Sequence, residues 1–346
     1  MLATKQNILR RFWYSVMPIS DLADGPKPFV LMGENIVLFL DGDGQPAALE
    51  DRCCHRTAKL STGWCKNGNI ICGYHGWEYD RTGKLVMVPQ FPERQAVPNA
   101  RTRSFHARER YGYVWVALDD PIADIPDIPE DRDPGFRRIH QFYEHWATSS
   151  FRLMENSFDA AHIAFVHRNT FGDINDPVPE QYRIEETPEG FTASVNQEVV
   201  NPPHARKITG EGPGRTMREM VNKWYMPFCR RMDVTYPSGL RHILFNCATP
   251  IDDGHMQLTQ ILFRNDTEED CPTADLVAWD AAIVREDKDV LETTDPEVIM
   301  DLGIRSEMHM VTDRPGMIMR KRFLKLFADH DEAEVVVNGR EVLPAT

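Results

Sequence analysis

Cys53-Cys54-His55 and Cys72-Gly73-Tyr74-His75 are the stretches on which the reading of this chain turns. Sixteen residues lie between them, so the pattern is C-x-H-x16-C-x2-H. Each stretch pairs one thiol with one imidazole. Two thiolates and two imidazoles on matched loops suit a [2Fe–2S] cluster with both cysteines on one iron and both histidines on the other. Zinc also takes two Cys and two His, but typically from a CxxC pair and a separate His pair. The cluster reading makes the chain an electron handler.

The flanking sequence predicts short antiparallel strands. Residues 35–40 read as a strand, Asp41-Gly42-Asp43-Gly44 as a turn and residues 46–50 as the next strand. Asn67-Gly68-Asn69 turns the chain before Ile70-Ile71-Cys72, and Arg81-Thr82-Gly83 turns it again after Gly76-Trp77-Glu78-Tyr79-Asp80. This is how a small β-sandwich presents ligands on loops. Trp77 is placed either to shield a cluster from water or as a plain core aromatic. The β-prone residues 111–118 close the sandwich. Pro121, Pro126, Pro129 and Pro134, set among acidic residues, then mark a connector. The expected domains are 1–136 and 137–346. In the second, a helical segment near 147–166, strands around 191–195, 241–246 and 257–263, and helices at 274–293 and 314–329 predict an α+β fold.

A second constellation lies in Asn156-Ser157-Phe158-Asp159-Ala160-Ala161-His162-Ile163-Ala164-Phe165-Val166-His167, which reads N-x2-D-x2-H-x4-H. Asp159 and His162 share a helix face at i,i+3. His162 and His167 stand about 140° apart on an ideal helix, so they can meet on one ion only if the helix ends or bulges between them. Two His and one carboxylate leave open positions on Fe(II) for O2 and substrate. The carboxylate must come from elsewhere. Asp287 is the best candidate, but on spacing alone Asp280, Glu286 and Asp289 compete, and a solvated helix face explains the same charge run. His106, His140, His145, His204, His242, His255, His309 and His330 have no comparable pattern and read as structural. So do Cys65, Cys229, Cys247 and Cys271 as packing residues.

Composition sets the limits. A chain of 346 residues with 42% hydrophobic and 27% charged residues can bury two cores. A net charge of −14 argues against nucleic acid as a partner. Seven cysteines without a secretory h-region read as reduced thiols, and the apolar runs fall short of a membrane span. The expectation is a cytoplasmic protein.

Together the motifs resemble the catalytic α-subunit of the Rieske non-haem iron oxygenases. The likeness runs from Arg11-Phe12-Trp13-Tyr14 through both cluster loops, Arg110-Tyr111-Gly112 and residues 156–167 to Glu286-Asp287-Lys288. It implies a Rieske β-sandwich followed by a helix-grip, START-like catalytic domain. The implied cluster ligands are Cys53, His55, Cys72 and His75, and the implied iron ligands His162, His167 and Asp287. Cys54 stands where the family usually has proline. The extra cysteines of high-potential Rieske proteins would fall near Ala58 and Tyr74, so a low-potential cluster is implied. The resemblance further implies a homotrimer in which His75 of one chain meets Asp159 of the next, with Asn156 near the iron. An NAD(P)H-dependent reductase or ferredoxin would supply the electrons. The chain's length is similar to the homotrimeric monooxygenase and demethylase branch, implying O- or N-demethylation or C–H hydroxylation of a small aromatic or heterocyclic substrate. A cis-dihydroxylating dioxygenase and a non-catalytic Rieske electron carrier are the alternatives. Met226, Phe228 and Phe245 are candidate pocket liners, and Arg101, Arg103, Arg108 and Arg110 are either a docking patch or a solvated strand face.

Overall fold

The computed structural model describes residues 1–92, 99–201, 206–304 and 306–337. His204 lies outside them. The chain forms two compact units, one of Asn7–Ile125 and one of Met1–Gln6 with the residues from Pro126 onward.

The first unit is built from ten strands: β1 (Tyr14–Pro18), β2 (Lys27–Leu31), β3 (Glu34–Leu40), β4 (Pro46–Glu50), β5 (Trp64–Lys66), β6 (Asn69–Ile71), β7 (Glu78–Tyr79), β8 (Leu85–Met87), β9 (Ser104–Arg110) and β10 (Tyr113–Ala117). They make a six-stranded sheet in the order β1-β10-β9-β4-β3-β2 and a four-stranded meander β5-β6-β7-β8. The Asn67-Gly68 turn joins β5 to β6 with both residues at positive φ, the conformation that matches a tight hairpin to strand twist. Val37, Phe39, Leu49, Leu60, Ile70 and Leu85 fill the core beside the meander, and Cys53, Cys72 and Tyr79 are buried among them. The arginines proposed as a docking patch are bound within this unit: Arg103 to Asp119, Arg108 to Asp124 and Arg101 to the Thr82 carbonyl.

The second unit carries a seven-stranded antiparallel sheet. Its strands are β11 (Arg137–Trp146), β12 (Arg183–Thr187), β13 (Gly190–Asn201), β14 (Gly214–Tyr225), β15 (Cys229–Thr235), β16 (Arg241–Pro250) and β17 (Met256–Arg264), in the order β11-β17-β16-β15-β14-β13-β12. The helices are α1 (Ser150–Ser157), α2 (Ile163–Val166), α3 (Arg206–Thr209), α4 (Thr273–Leu291) and α5 (Arg314–Asp329). In α4 the buried residues Leu276, Asp280, Val284 and Leu291 recur at helical spacing, so one stripe faces inward. Burying a leucine on such a stripe contributes about 1.5–3 kcal/mol. In α5, Pro315 stands in the first turn and Phe323 packs its ring on Phe151 and Phe228. Strands and helices thus segregate as an α+β fold requires. Among the described residues no helix is long and apolar enough to cross a membrane.

Candidate metal centres and the catalytic cavity

The two cysteine–histidine loops repeat one backbone scheme. In the first, the Cys53 N–H donates to the Ala58 carbonyl and the Thr57 N–H to the Cys53 carbonyl. In the second, the Cys72 N–H donates to the Trp77 carbonyl and the Gly76 N–H to the Cys72 carbonyl. Thr57 and Gly76, each four residues after its cysteine, both have positive φ. The loops bring the His55 and His75 rings to 4.5 Å between centroids, and Trp77 stacks on His55 at 4.3 Å with the planes 5° apart. Cys53 and Cys72 are buried neighbours in the core. The Nδ1 atom of His55 is buried without a hydrogen-bond partner, as an atom awaiting a ligand would be.

The donor set tests which group fits. A single zinc needs four donors at about 2.0–2.3 Å from one point. Among the described residues no three of these four donors lie within 4.8 Å of one another. Thiols paired with thiols and imidazoles with imidazoles suit a two-iron cluster instead. One supporting residue escaped the sequence reading. Tyr79 Oη lies 3.0 Å from Cys53 Sγ and 3.3 Å from both Cys54 N and Cys54 Sγ. Burial, and then the neighbouring thiols, push the Tyr79 pKa far up, so the phenol keeps its proton and donates it toward sulfur. Cys54 reaches the same hydroxyl from an exposed position. The signal for Tyr79 was its position on a two-residue strand directly after the second loop.

The second centre forms where the helix breaks. α1 ends at Ser157, the chain is non-helical through Asp159 and Ala160, and α2 is a single turn with His162 as N-cap and His167 as C-cap. The expected 147–166 helix is therefore two pieces. Asp159 stands outside both, so it does not share a helix face with His162. After His167 a tight turn follows, in which the His167 carbonyl accepts from Thr170, Phe171 and Gly172. A side chain at Gly172 would place its Cβ 2.2 Å from the Ile163 carbonyl oxygen, so the turn needs glycine there.

Because α2 ends at Val166 and leaves His167 outside helical geometry, the two imidazoles converge. His162 Nε2 and His167 Nε2 are 3.2 Å apart. Asp287 Oδ1, from α4, lies 3.5 Å from the first and 3.4 Å from the second. Among the described residues these three form the only group of His, Cys, Asp or Glu side chains arranged to hold an ion. Such a 2-His-1-carboxylate set with open positions fits Fe(II). The competing carboxylates have other work. Glu286 Oε2 bonds His167 Nδ1 at 3.0 Å, which turns Nε2 toward Asp287. Asp280 pairs with His242, and Asp289 is exposed. Asn156 Nδ2 donates to Asp287 Oδ1 at 2.9 Å. Asp159 accepts from the Ala161 N–H, and its Oδ2 stands 3.7 Å from His162 Nδ1, an ion-pair distance rather than a hydrogen bond. Burial opposes a charge on His167, but the Asp287 and Glu286 carboxylates outweigh it and hold its pKa above the usual value. Burial also opposes a charged Asp287, yet the bonds to His167 and Asn156 and the nearby His162 keep its pKa below the carboxylate norm.

The triad opens on a cavity of about 120 Å³ between α4 and the sheet. That is the scale of a cavity that takes up one benzene ring. Alternation along the strands supplies its floor: Met220 on β14, Met232 and Val234 on β15, Leu244 on β16 and Leu258 on β17. Met226, Phe228 and Phe245 do not line it; Phe228 and Phe245 are core. His242, which read as structural, is in its wall. The Arg264 guanidinium, which only donates, lies 2.9 Å from His242 Nδ1, so that nitrogen accepts and Nε2 carries the proton toward Asp280 Oδ2 at 3.2 Å.

Residues 12–105 match the Rieske [2Fe-2S] domain, and residues 146–329 match the vanillate O-demethylase oxygenase C-terminal domain. The chain belongs to the Rieske non-haem iron oxygenases. The methylxanthine N1-demethylase NdmA of Pseudomonas putida is 29% identical, over 95% of this chain and 92% of its own. Its caffeine-bound crystal structure superposes with a TM-score of 0.81 over 94% of both chains. Dicamba monooxygenase bound to dicamba is 25% identical, with a TM-score of 0.76 over 93% of this chain and 98% of that one. This Rieske oxygenase is accordingly a monooxygenase of the demethylase-like branch. It uses a [2Fe–2S] cluster, a mononuclear iron and O2, and it acts on a small molecule with electrons from a reductase.

Proposed function

We propose that this oxygenase removes a methyl group from oxygen or nitrogen of a single-ring aromatic or heterocyclic substrate, releasing formaldehyde. The observation that carries the reading is the His162–His167–Asp287 triad at the edge of a ring-sized, mostly apolar cavity. The demethylases among its relatives support the choice of reaction.

In this reading Cys53, His55, Cys72 and His75 hold the cluster, and His162, His167 and Asp287 hold the iron. When bound, these groups store an electron and activate O2. The protein's own residues position and insulate. Glu286 fixes the His167 ring, Asn156 fixes the Asp287 carboxylate, and the apolar floor holds the methyl group near the triad while keeping water out. The functional division falls at the proline-rich connector before residue 137. The protein works in the cytoplasm as a head-to-tail homotrimer in which His75 of one subunit hydrogen-bonds Asp159 of its neighbour. The partial exposure of His75 and the 63% exposure of Tyr74 support a covered surface at that loop.

Iron-loaded protein with a surrogate reductase should consume one O2 and one NADH per formaldehyde released from a methoxyarene or N-methyl heterocycle in a screen. Both atoms of labelled O2 in a cis-diol would replace this reading with ring dihydroxylation. Cluster reduction without O2 uptake across the screen would replace it with electron carriage.

A further inference from the structure

Several buried or half-buried arginines in the catalytic unit are paired with carboxylates. Arg231 meets Glu130 through both terminal nitrogens at 2.8 and 2.9 Å, Arg264 bonds Asp266, Arg320 bonds Glu155 and Glu307, and Arg137 bonds Asp266. Like Arg218, the half-buried Arg230 departs from this pattern. It sits one residue before Arg231 on β15, so its side chain points to the opposite face and lines the cavity. Its Nε donates to Asn222 Oδ1 at 3.1 Å and its Nη2 to Met232 Sδ at 2.8 Å. Among the described residues no carboxylate lies within ion-pair distance of it. Nη1 has no protein partner there.

A guanidinium partly removed from water without a counterion is costly, so such a charge persists where something supplies the missing anion. The carboxylates that line the same cavity are committed: Asp287 to the triad and Asn156, Asp159 to the Ala161 N–H, and Asp280 to His242. Two further groups face the same corner. Arg218 stacks over Phe171 at 4.7 Å, with its Nε buried and unbonded, and Tyr182 lies within electrostatic reach of both arginines. Burial pushes the Arg230 pKa down despite Tyr182 and Asp287, which expresses the same lack of a counterion. This corner is cationic, planar and aromatic, the geometry that binds a carboxylate through two parallel N–H bonds.

We propose that Arg230 anchors a carboxylate on the substrate, with Arg218 and Tyr182 beside it, and so decides which ring position reaches the triad. The inference rests on the cavity being the substrate site. It narrows the substrate to an anionic single-ring acid.

Anaerobic calorimetry on the iron-loaded full chain tests it with 4-methoxybenzoate and the neutral isostere 4-methoxybenzamide. The acid should bind about 10- to 100-fold more tightly, the range of a charge-assisted hydrogen bond. Arg230→Gln should remove that preference and leave the amide within about threefold, and Arg230→Lys should fall between, because it keeps charge without the fork. Asn222→Asp, which gives Arg230 an internal counterion, should weaken the acid without unfolding the protein. Equal affinity for acid and amide, no binding of either, or an acid affinity indifferent to Arg230→Gln or Asn222→Asp in folded protein overturns the proposal. Formaldehyde assays on the same probes separate the two readings. Acid bound through Arg230 but never demethylated would uphold the anchor and count against demethylation. Amide demethylated as well as acid, and unaffected by Arg230→Gln, would do the reverse.

Discussion

Tyr74, inside the second cluster loop, is 63% exposed, whereas His167 of the triad is 3% exposed. The two ligand sets are built for opposite relations with solvent. Cys53 and Cys72 are sealed in a core with Tyr79, while His55 and His75 are half-buried on short loops. The triad sits beneath α4 at the edge of a mostly apolar cavity, and its supports are half-buried polar side chains rather than loop backbone. A group that passes electrons to another molecule needs an accessible edge. A group that activates O2 beside a substrate needs water kept away. The difference also concerns assembly. The cluster ligands come from adjacent turns of one unit, whereas the triad joins a broken helix to a helix 120 residues further along the chain.

The sharpest way to break this comparison is to remove the triad and leave the loops alone. Asp287→Ala should lower turnover by at least about 1,000-fold and reduce iron from about three to about two per chain, with the cluster's visible spectrum unchanged. Retained turnover in a fully loaded variant would show that the carboxylate comes from elsewhere. Asp159→Asn tests the proposed contact between His75 of one subunit and Asp159 of its neighbour. Both metal contents should persist while the single-turnover electron transfer rate falls about 10- to 100-fold, the usual cost of losing an outer-shell partner. A wild-type rate would take Asp159 out of the path. The smallest effect belongs to Tyr79→Phe, which deletes the donor to Cys53. If that bond favours the reduced cluster by one tenfold factor, the cluster potential should drop by roughly 60 mV in protein-film voltammetry, with turnover little changed. An unmoved potential would reduce Tyr79 to a packing residue.

Much of the cluster region is legible in the residues because its determinants are local. The turn at Asn67-Gly68, the alternation of β3 and the ligand spacing all act over a few residues. The catalytic region is legible only in part. His162 and His167 stand out as a motif, and their separation implies that the helix ends between them, as α2 does at Val166, but not the further interruption at Phe158–Ala161 before the first histidine. Asp280 and Asp287 share the inward stripe of α4 with Leu276, Val284 and Leu291, so helical phase could have set aside Asp289. Phase could not choose between Asp280 and Asp287, since both point inward. His242 separates them by engaging Asp280, and His242 comes from a strand about forty residues away.

The sequence by itself therefore determined the class of cofactor and the order of the domains, because thiol and imidazole spacing within two short loops is a property of the chain. Tertiary structure alone decided which carboxylate completes the triad, which phenol meets the Cys53 thiol and which arginines face the cavity without a counterion. Those choices depend on strands and helices meeting across long separations, and on which buried charges find a partner when they do.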